Sequence, residues 1–235
     1  RQARQKRSFS CIVFNEEENI HEFYRRLTQV MAPLPYDYEI LFIDDGSKDR
    51  TSQLIRELAE KDPNVQGYVF ARNFGHQLAL TCGLDQSTGD AVISMDGDLQ
   101  HPPEMVPELL KKWEEGFEIV QTVRKATEDA TWFKNITSRL YYKLINSMSE
   151  VRITPGGSDF RLMDRKAVDA LNRFRERARF IRGMVNNLGF RYTTLEFVAP
   201  PRFAGHSKFN LRKMLRFALD GITAFSRVPL RLACM

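Results

Sequence analysis

Residues 91–103 read AVISMDGDLQHPP. Two carboxylates, Asp96 and Asp98, stand one residue apart at the end of an apolar run, and two prolines stop that run from continuing. Residues i and i+2 of a strand point the same way, so these like charges repel unless a cation lies between them. Mg2+ or Mn2+ takes hard oxygen ligands of this kind and typically shares them with substrate phosphates. Gln100 offers another oxygen, and Gly97 lets a ligand approach the backbone. The chemistry implied is departure of a diphosphate whose developing charge is neutralised by the metal. That points to a nucleotide or nucleotide-linked substrate. A solvated Asp-Gly turn is the ordinary alternative, but the apolar strand before it and the prolines after it argue against that.

Such a pair needs a strand to deliver it. Apolar runs at 8–14, 38–44, 65–71, 91–96 and 117–123 read as strands. Helical patterns lie between them: one capped by Asn15 with Glu16–Glu18 in its first turn, then 50–60, 76–85 and one opened by Pro102-Pro103. Strand-helix alternation with nearly continuous apolar strands predicts an α/β fold, a mostly parallel central sheet flanked by helices on both faces. Ligands of such sheets bind beyond the carboxyl ends of the strands. Polar clusters occupy four of those ends: Asn15-Glu16, Asp44-Asp45-Gly46-Ser47, Arg72-Asn73 and Asp96-Gly97-Asp98. Asp44 and Asp45 suit hydrogen bonds from a base or ribose. Beyond residue 125 the alternation loosens. A helix at 131–148, the turn TPGGSD, the strand FRLMD, two helices and a strand at 191–198 look like an addition to the same sheet.

The 235 residues suit one α/β domain with a short appendage, and 43% hydrophobic with 28% charged residues is ordinary for a globular protein. A net charge of +5 favours anionic partners or simply aids solubility. Three scattered cysteines without CxxC spacing disfavour a disulfide framework or zinc site. The basic opening RQARQKR and the stop at PLRLACM are expected of a fragment. Residues 1–7 are expected to form a basic flexible tail, 8–209 the main domain, and 210–235 a membrane-proximal segment. In that last segment Leu211, Met214, Leu215, Ala218, Leu219, Ile222 and Phe225 fall at helical spacing beside Arg212, Lys213 and Arg216. Such a basic amphipathic helix can lie in a membrane interface.

The blocks FNEEENI, EILFIDDGSKDRT, ARNFGHQLAL, GDAVISMDGDLQHPPE, GSDFRLMDRKAVDAL and RFAGHSKFNLRKMLRFALDGITAFSRVPLRL resemble family 2 glycosyltransferases of the polyprenyl-phosphate branch. The resemblance implies a Rossmann-like GT-A fold and inverting transfer of one sugar from a nucleotide sugar to a polyprenyl phosphate. A UDP-sugar is favoured, with glucose as the sugar, and a GDP-sugar is the second choice. It implies that Asp96, Asp98 and Gln100 meet the Mg2+ or Mn2+ and the donor diphosphate. Phe14, Glu16, Asp44, Asp45, Ser47, Asn73, Asp96 and Gly97 would form the nucleotide-sugar site. Asp159 lies where the family keeps an acid near the acceptor, and it joins Asp98 as a candidate catalytic residue. Arg124, Arg202, Ser207 and Lys208 match positions that grip phosphates. Membrane association at the cytoplasmic face of a bacterial inner membrane, homo-oligomerisation, and membrane helices just after PLRL-type sequences are further implications. Two departures stand out: Phe14 replaces the usual tyrosine, and the proline of the usual first-strand pattern is absent.

Other readings fit less well. A haloacid-dehalogenase-type phosphatase also puts Asp-x-Asp after a strand, but Leu99-Gln100 is the wrong continuation. A metal-dependent nucleotidyltransferase would carry an early glycine-rich loop with a basic residue, where this chain has three glutamates. There is no GxGxxG and no Walker loop. A nucleic-acid-binding module is disfavoured because acids cluster at the strand ends. A nucleotide-sugar transferase with a non-lipid acceptor is the nearest alternative.

Overall fold

The computed structural model describes residues 5–125, 157–174, 176 and 179–200. The expected helix at 131–148, residues 154–156 of the TPGGSD turn, Arg202, Ser207, Lys208 and the amphipathic segment lie outside the described residues. Seven strands form one sheet: β1 (Lys6–Val13), β2 (Asp37–Asp44), β3 (Val65–Val69), β4 (Ala91–Asp96), β5 (Ile119–Arg124), β6 (Gly157–Asp164) and β7 (Tyr192–Phe197). Their order is β3-β2-β1-β4-β6-β5-β7. Every pairing is parallel except those of β6, which runs against both β4 and β5.

The helices are α1 (Ile20–Met31), α2 (Thr51–Lys61), α3 (His76–Gln86), α4 (Val106–Glu114, after a 3-10 turn at Pro103–Met105), α5 (Arg165–Arg173) and α6 (Ile181–Asn186). They cover both faces because the strands are apolar on both. Phe9, Cys11, Ile40, Phe42, Ile93, Phe160 and Leu162 pack with Phe23, Leu27, Leu54 and Leu109 on one side. Leu41, Ile43, Val92 and Met163 pack with Leu80, Leu84, Val168, Leu171 and Ile181 on the other. Among the described residues no helix is long and apolar enough to cross a membrane.

Two sequence expectations shift. Lys6 and Arg7 open β1 instead of ending a tail. Arg7 is fully buried, its guanidinium 4.0 Å from the Tyr36 ring centroid and 4.3 Å from that of Trp113. Asn15 does not cap α1; Asn19 precedes the helix. Asn15 instead has φ 51° and joins the 47–51 loop, its amide donating to Ser47 Oγ (2.8 Å) while its Oδ1 accepts from the Lys48 amide (2.8 Å). The Glu16 amide donates to Thr51 Oγ1 (2.8 Å). These long-range bonds outcompete one more helical turn.

Candidate active site

Parallel pairing brings the ends of β1, β2, β3 and β4 to one edge of the sheet, and two antiparallel pairings through β6 bring the end of β5 there as well. Because β6 is reversed, its beginning lies at that edge. Ser94 pairs with Arg161, and extending that register by two residues sets Asp96 opposite Asp159. The Ser94 hydroxyl donates to the Asp159 carbonyl (2.6 Å) within this alignment.

At the end of β2, Asp44 is fully buried and its Oδ1 accepts from the Ser47 amide (2.9 Å) and hydroxyl (2.5 Å). Its Oδ2 has no hydrogen-bond partner among the described residues. A buried acceptor in that state is stabilised by any donor group a ligand brings. Asp45 is 3% exposed and holds the loop before α3, accepting from Asn73 Nδ2 (2.8 Å), the Phe74 amide (2.7 Å) and the Gly75 amide (3.0 Å). It thus clamps the 73–75 loop against the end of β2. Phe14 and Ser47 are half-buried, Glu16 is buried, and Asn73 is exposed. Gly46, at φ 72°, lies against this same loop: a Cβ there would be 2.3 Å from the Arg72 carbonyl carbon. Two strand-end loops therefore touch backbone to backbone.

Strand β4 stops at Asp96, and Asp98 sits in the following turn, where Leu99 has φ 61°. The Asp98 Oδ1 accepts the Gln100 amide (3.0 Å). Strand alternation therefore orients Asp96 but not Asp98. The space above Gly97 is also not open: an added Cβ would be 2.5 Å from Val13 Cγ1. Glycine serves there to press the turn against β1.

His101 ties this turn to β6. Its Nδ1 accepts the Asp96 amide (2.9 Å), which puts the ring proton on Nε2, 2.8 Å from Ser158 Oγ. The ring stacks on Phe160 at 5.2 Å between centroids. With Nδ1 occupied as an acceptor, its 3.6 Å approach to the Asp96 carboxylate is not an ion pair. The cationic neighbour of Asp96 is His76, whose Nδ1 lies 3.7 Å from Asp96 Oδ1 and whose Nε2 lies 3.3 Å from Asp159 Oδ2. Burial alone would lower the His76 pKa, but the charge of Asp96 and the hydrogen bond and charge of Asp159 outweigh it and raise it to about 9.

Asp159 is 6% exposed and surrounded by cations. Arg161 Nη2 donates to its Oδ1 (2.7 Å), and Arg182 grips both oxygens, Nε to Oδ1 (3.0 Å) and Nη2 to Oδ2 (2.8 Å). Burial pushes this carboxyl up, yet Arg182, His76 and Arg161 together hold it well below the usual carboxylate range. Arg124 is exposed at the end of β5, on the same edge. The sequence reading did not single out His76, His101, Arg161 or Arg182. His76 follows the strand-end break at 72–75, whereas nothing local marks the two arginines.

The oxygen chemistry of this edge fits a divalent cation. Asp96 is a strand-end carboxylate with 35% of its side chain exposed, and Asp98 follows two residues later. Among the described residues no group of three or more His, Cys, Asp or Glu side chains converges on one point. A cation that keeps water and substrate phosphates in its shell needs no larger protein set.

Comparison with known proteins gives a consistent picture. The family model described as Glycosyl transferase family 2 matches residues 8–171. An uncharacterised glycosyltransferase, YkcC, of Bacillus subtilis (strain 168) is 46% identical over 221 residues, covering 94% of this chain and 68% of that protein. A bactoprenol glucosyl transferase of Shigella phage SfX is 44% identical over 219 residues, covering 93% of this chain and 72% of its own. Among solved structures, glucosyl-3-phosphoglycerate synthase from Mycobacterium tuberculosis, in complex with Mn2+, UDP-glucose and phosphoglyceric acid, superposes with a TM-score of 0.55. The alignment is 18% identical and covers 92% of this chain and 77% of that one.

Proposed function

Because this chain belongs to glycosyl transferase family 2, we propose that it transfers glucose from UDP-glucose to a polyprenyl phosphate at the cytoplasmic face of a membrane, inverting the anomeric carbon. The chain is a glycosyltransferase, and its mostly parallel seven-stranded sheet with helices on both faces is the GT-A fold. One observation carries the chemical reading: Asp96 ends β4 opposite Asp159, so strand-end carboxylates and an arginine pair meet at one edge of the sheet. The acceptor class is supported by the 44% identity to a protein named bactoprenol glucosyl transferase.

In this reading Asp96 and Asp98, with Gln100, hold Mg2+ or Mn2+. When bound, the ion neutralises charge on the departing diphosphate. The loops of Asp44–Ser47 and Asn73 shape the nucleotide pocket together with Phe14 and Glu16. A phosphate monoester is largely dianionic near neutral pH, so the acceptor is already a nucleophile. Its oxygen bonds to the anomeric carbon as the bond from that carbon to UDP breaks, the electron pair leaving on UDP. The protein's task is then to bring two anions together, and Arg124, with Arg202, Ser207 and Lys208, offers cations and a hydroxyl for it.

The test is transfer of radiolabelled glucose from UDP-glucose to undecaprenyl phosphate in detergent micelles, with Mn2+, Mg2+ or EDTA. GDP-mannose serves as the competing donor. Lipid-linked glucose that disappears in EDTA and in Asp98→Asn is expected. Full turnover in EDTA would overturn the metal assignment, and transfer only from GDP-mannose would overturn the donor.

A further inference from the structure

The family resemblance makes Asp159 a candidate catalytic residue, but its surroundings leave no room for a base. Oδ1 accepts from Arg161 Nη2 and Arg182 Nε, Oδ2 accepts from Arg182 Nη2, and His76 Nε2 lies 3.3 Å from Oδ2. Three hydrogen bonds and the histidine contact occupy both oxygens of the carboxylate. To receive a proton, Asp159 would first have to release an arginine in a nearly dry site, which is the costly direction for a buried charge.

The two arginines differ in kind. Arg161 is 1% exposed, and its Nε and Nη1 have no hydrogen-bond partner among the described residues. It is a buried counter-charge. Arg182 opens α6 and keeps 30% of its side chain exposed. Of the two arginines that grip Asp159, Arg182 is the one that solvent reaches. Its position gives a direction. Asp96, His76, Asp159 and Arg182 follow one another through contacts of 3.7, 3.3 and 2.8 Å. Arg182 is thus the member farthest along this chain from the donor carboxylate.

We propose that Asp159 is a positioning residue that pre-orients Arg182, and that Arg182 is the cation that binds the phosphate monoester of the acceptor. This rests on the proposed transfer reaction and adds a residue to it. A bidentate carboxylate locks the guanidinium plane, so less side-chain freedom is lost when a phosphate arrives. The groups facing Asp159 are Arg161 from its own strand, His76 from α3 and Arg182 from α6, with Asp96 of β4 beyond His76. The depressed pKa of Asp159 agrees with a carboxylate that stays ionised throughout the working range.

The experiment is a double-mutant cycle on transfer from UDP-glucose to undecaprenyl phosphate. It compares wild type, Arg182→Ala, Asp159→Asn and the double variant, with KM for each substrate and a pH profile. Wild-type transfer comes first: if none occurs, the reaction itself is misread, a failure distinct from that of this inference. Given wild-type transfer, Arg182→Ala should raise the KM for undecaprenyl phosphate about 10- to 100-fold, the loss expected for a charge-assisted hydrogen bond. The KM for UDP-glucose should change less than about threefold. Asp159→Asn should show the same split and an unchanged pH profile, and the double variant should be no worse than Arg182→Ala alone. A general base would behave differently: Asp159→Asn would lower kcat 10²- to 10⁴-fold with KM intact. It would also remove the acidic limb of the profile and add to Arg182→Ala. Either that pattern, or an unchanged acceptor KM in Arg182→Ala, overturns the proposal. Should Asp159→Asn fail to fold, Arg182→Ala and Arg182→Lys decide alone, since lysine keeps the charge but cannot be held in a bidentate grip.

Discussion

Gly46→Ala tests whether the two loops of the proposed nucleotide pocket are as tightly joined as their backbones indicate. The position has φ 72°, and a Cβ would stand 2.3 Å from the Arg72 carbonyl carbon, 2.6 Å from the Asn73 nitrogen and 2.7 Å from Arg72 Cα. All three are backbone atoms, so no rotamer change relieves the contact. Restoring an ordinary carbon contact means moving the loops apart by roughly 1 Å. The left-handed conformation costs a non-glycine residue about 1–2 kcal/mol. Overpacking adds about 1–3 kcal/mol. The sum, about 2–5 kcal/mol, lowers Tm by roughly 4–20 °C in a domain of this size. Gly189→Ala is the control: it shares the left-handed φ, 73°, but its Cβ would meet nothing within 4 Å. It should lose only the conformational share. Thermal melts of both variants, with and without UDP and Mn2+, provide the assay. Gly46→Ala should also bind UDP more weakly, because the displaced loop is the one Asp45 holds through Asn73, Phe74 and Gly75. Equal Tm losses in the two variants would refute the loop contact.

At the opposite end of the sheet, Glu39 is 2% exposed and accepts from Lys6 Nζ (2.6 Å), Ser8 Oγ (2.6 Å) and the Thr88 amide (2.7 Å). Burial raises its pKa, but the bonds from Lys6, Ser8 and Thr88 outweigh it and the net shift is downward. A depressed acid stabilises the fold fully above its unfolded pKa, about 4.3, and loses that contribution as pH falls through the folded value. Glu39→Gln should therefore be less stable at pH 7 by about 1–3 kcal/mol. In urea melts it should also lose less than wild type on going from pH 5 to pH 3; parallel pH curves would count against the network. His101→Phe keeps the stacking volume against Phe160 but leaves the Asp96 amide without its acceptor. A loss of about 1–3 kcal/mol is expected, with a smaller Mn2+-dependent UDP shift than wild type; an undiminished shift would show that His101 does not shape the metal turn.

What the sequence revealed, and what it hid, follows from how each residue is placed. Asp96 was legible because an apolar run ends on it, and strand ends of one direction share an edge. Asp45 was legible as a polar strand-end residue but not as the clamp of the 73–75 loop, since its partners lie 28 to 30 residues away. Asn15 has the composition of a helix cap, and only the docking of 15–18 onto the 47–51 loop defeats it. The direction of β6 is invisible in FRLMD, because alternation has the same period whichever way a strand runs. Without that direction, Arg161 is one more charged residue in a strand, and Arg182 one more on a short helix.

That reversal makes the hydrophobic core the guardian of the site. Along β6, Phe160 and Leu162 are buried in one apolar layer while Asp159 and Arg161 face the α3 and α6 side. A slip of one residue against β4 would send every side chain to the opposite face. It would drive Asp159 and Arg161 among Phe23, Leu27 and Leu109, and lift Phe160 into the polar cleft. Two ionised groups in that layer would cost several kcal/mol each, against a whole-domain stability of about 5–15 kcal/mol. The alignment of Asp159 with Asp96 is therefore enforced by side chains that never meet a substrate. The Ser94 and His101 hydrogen bonds refine within a register that burial has already chosen.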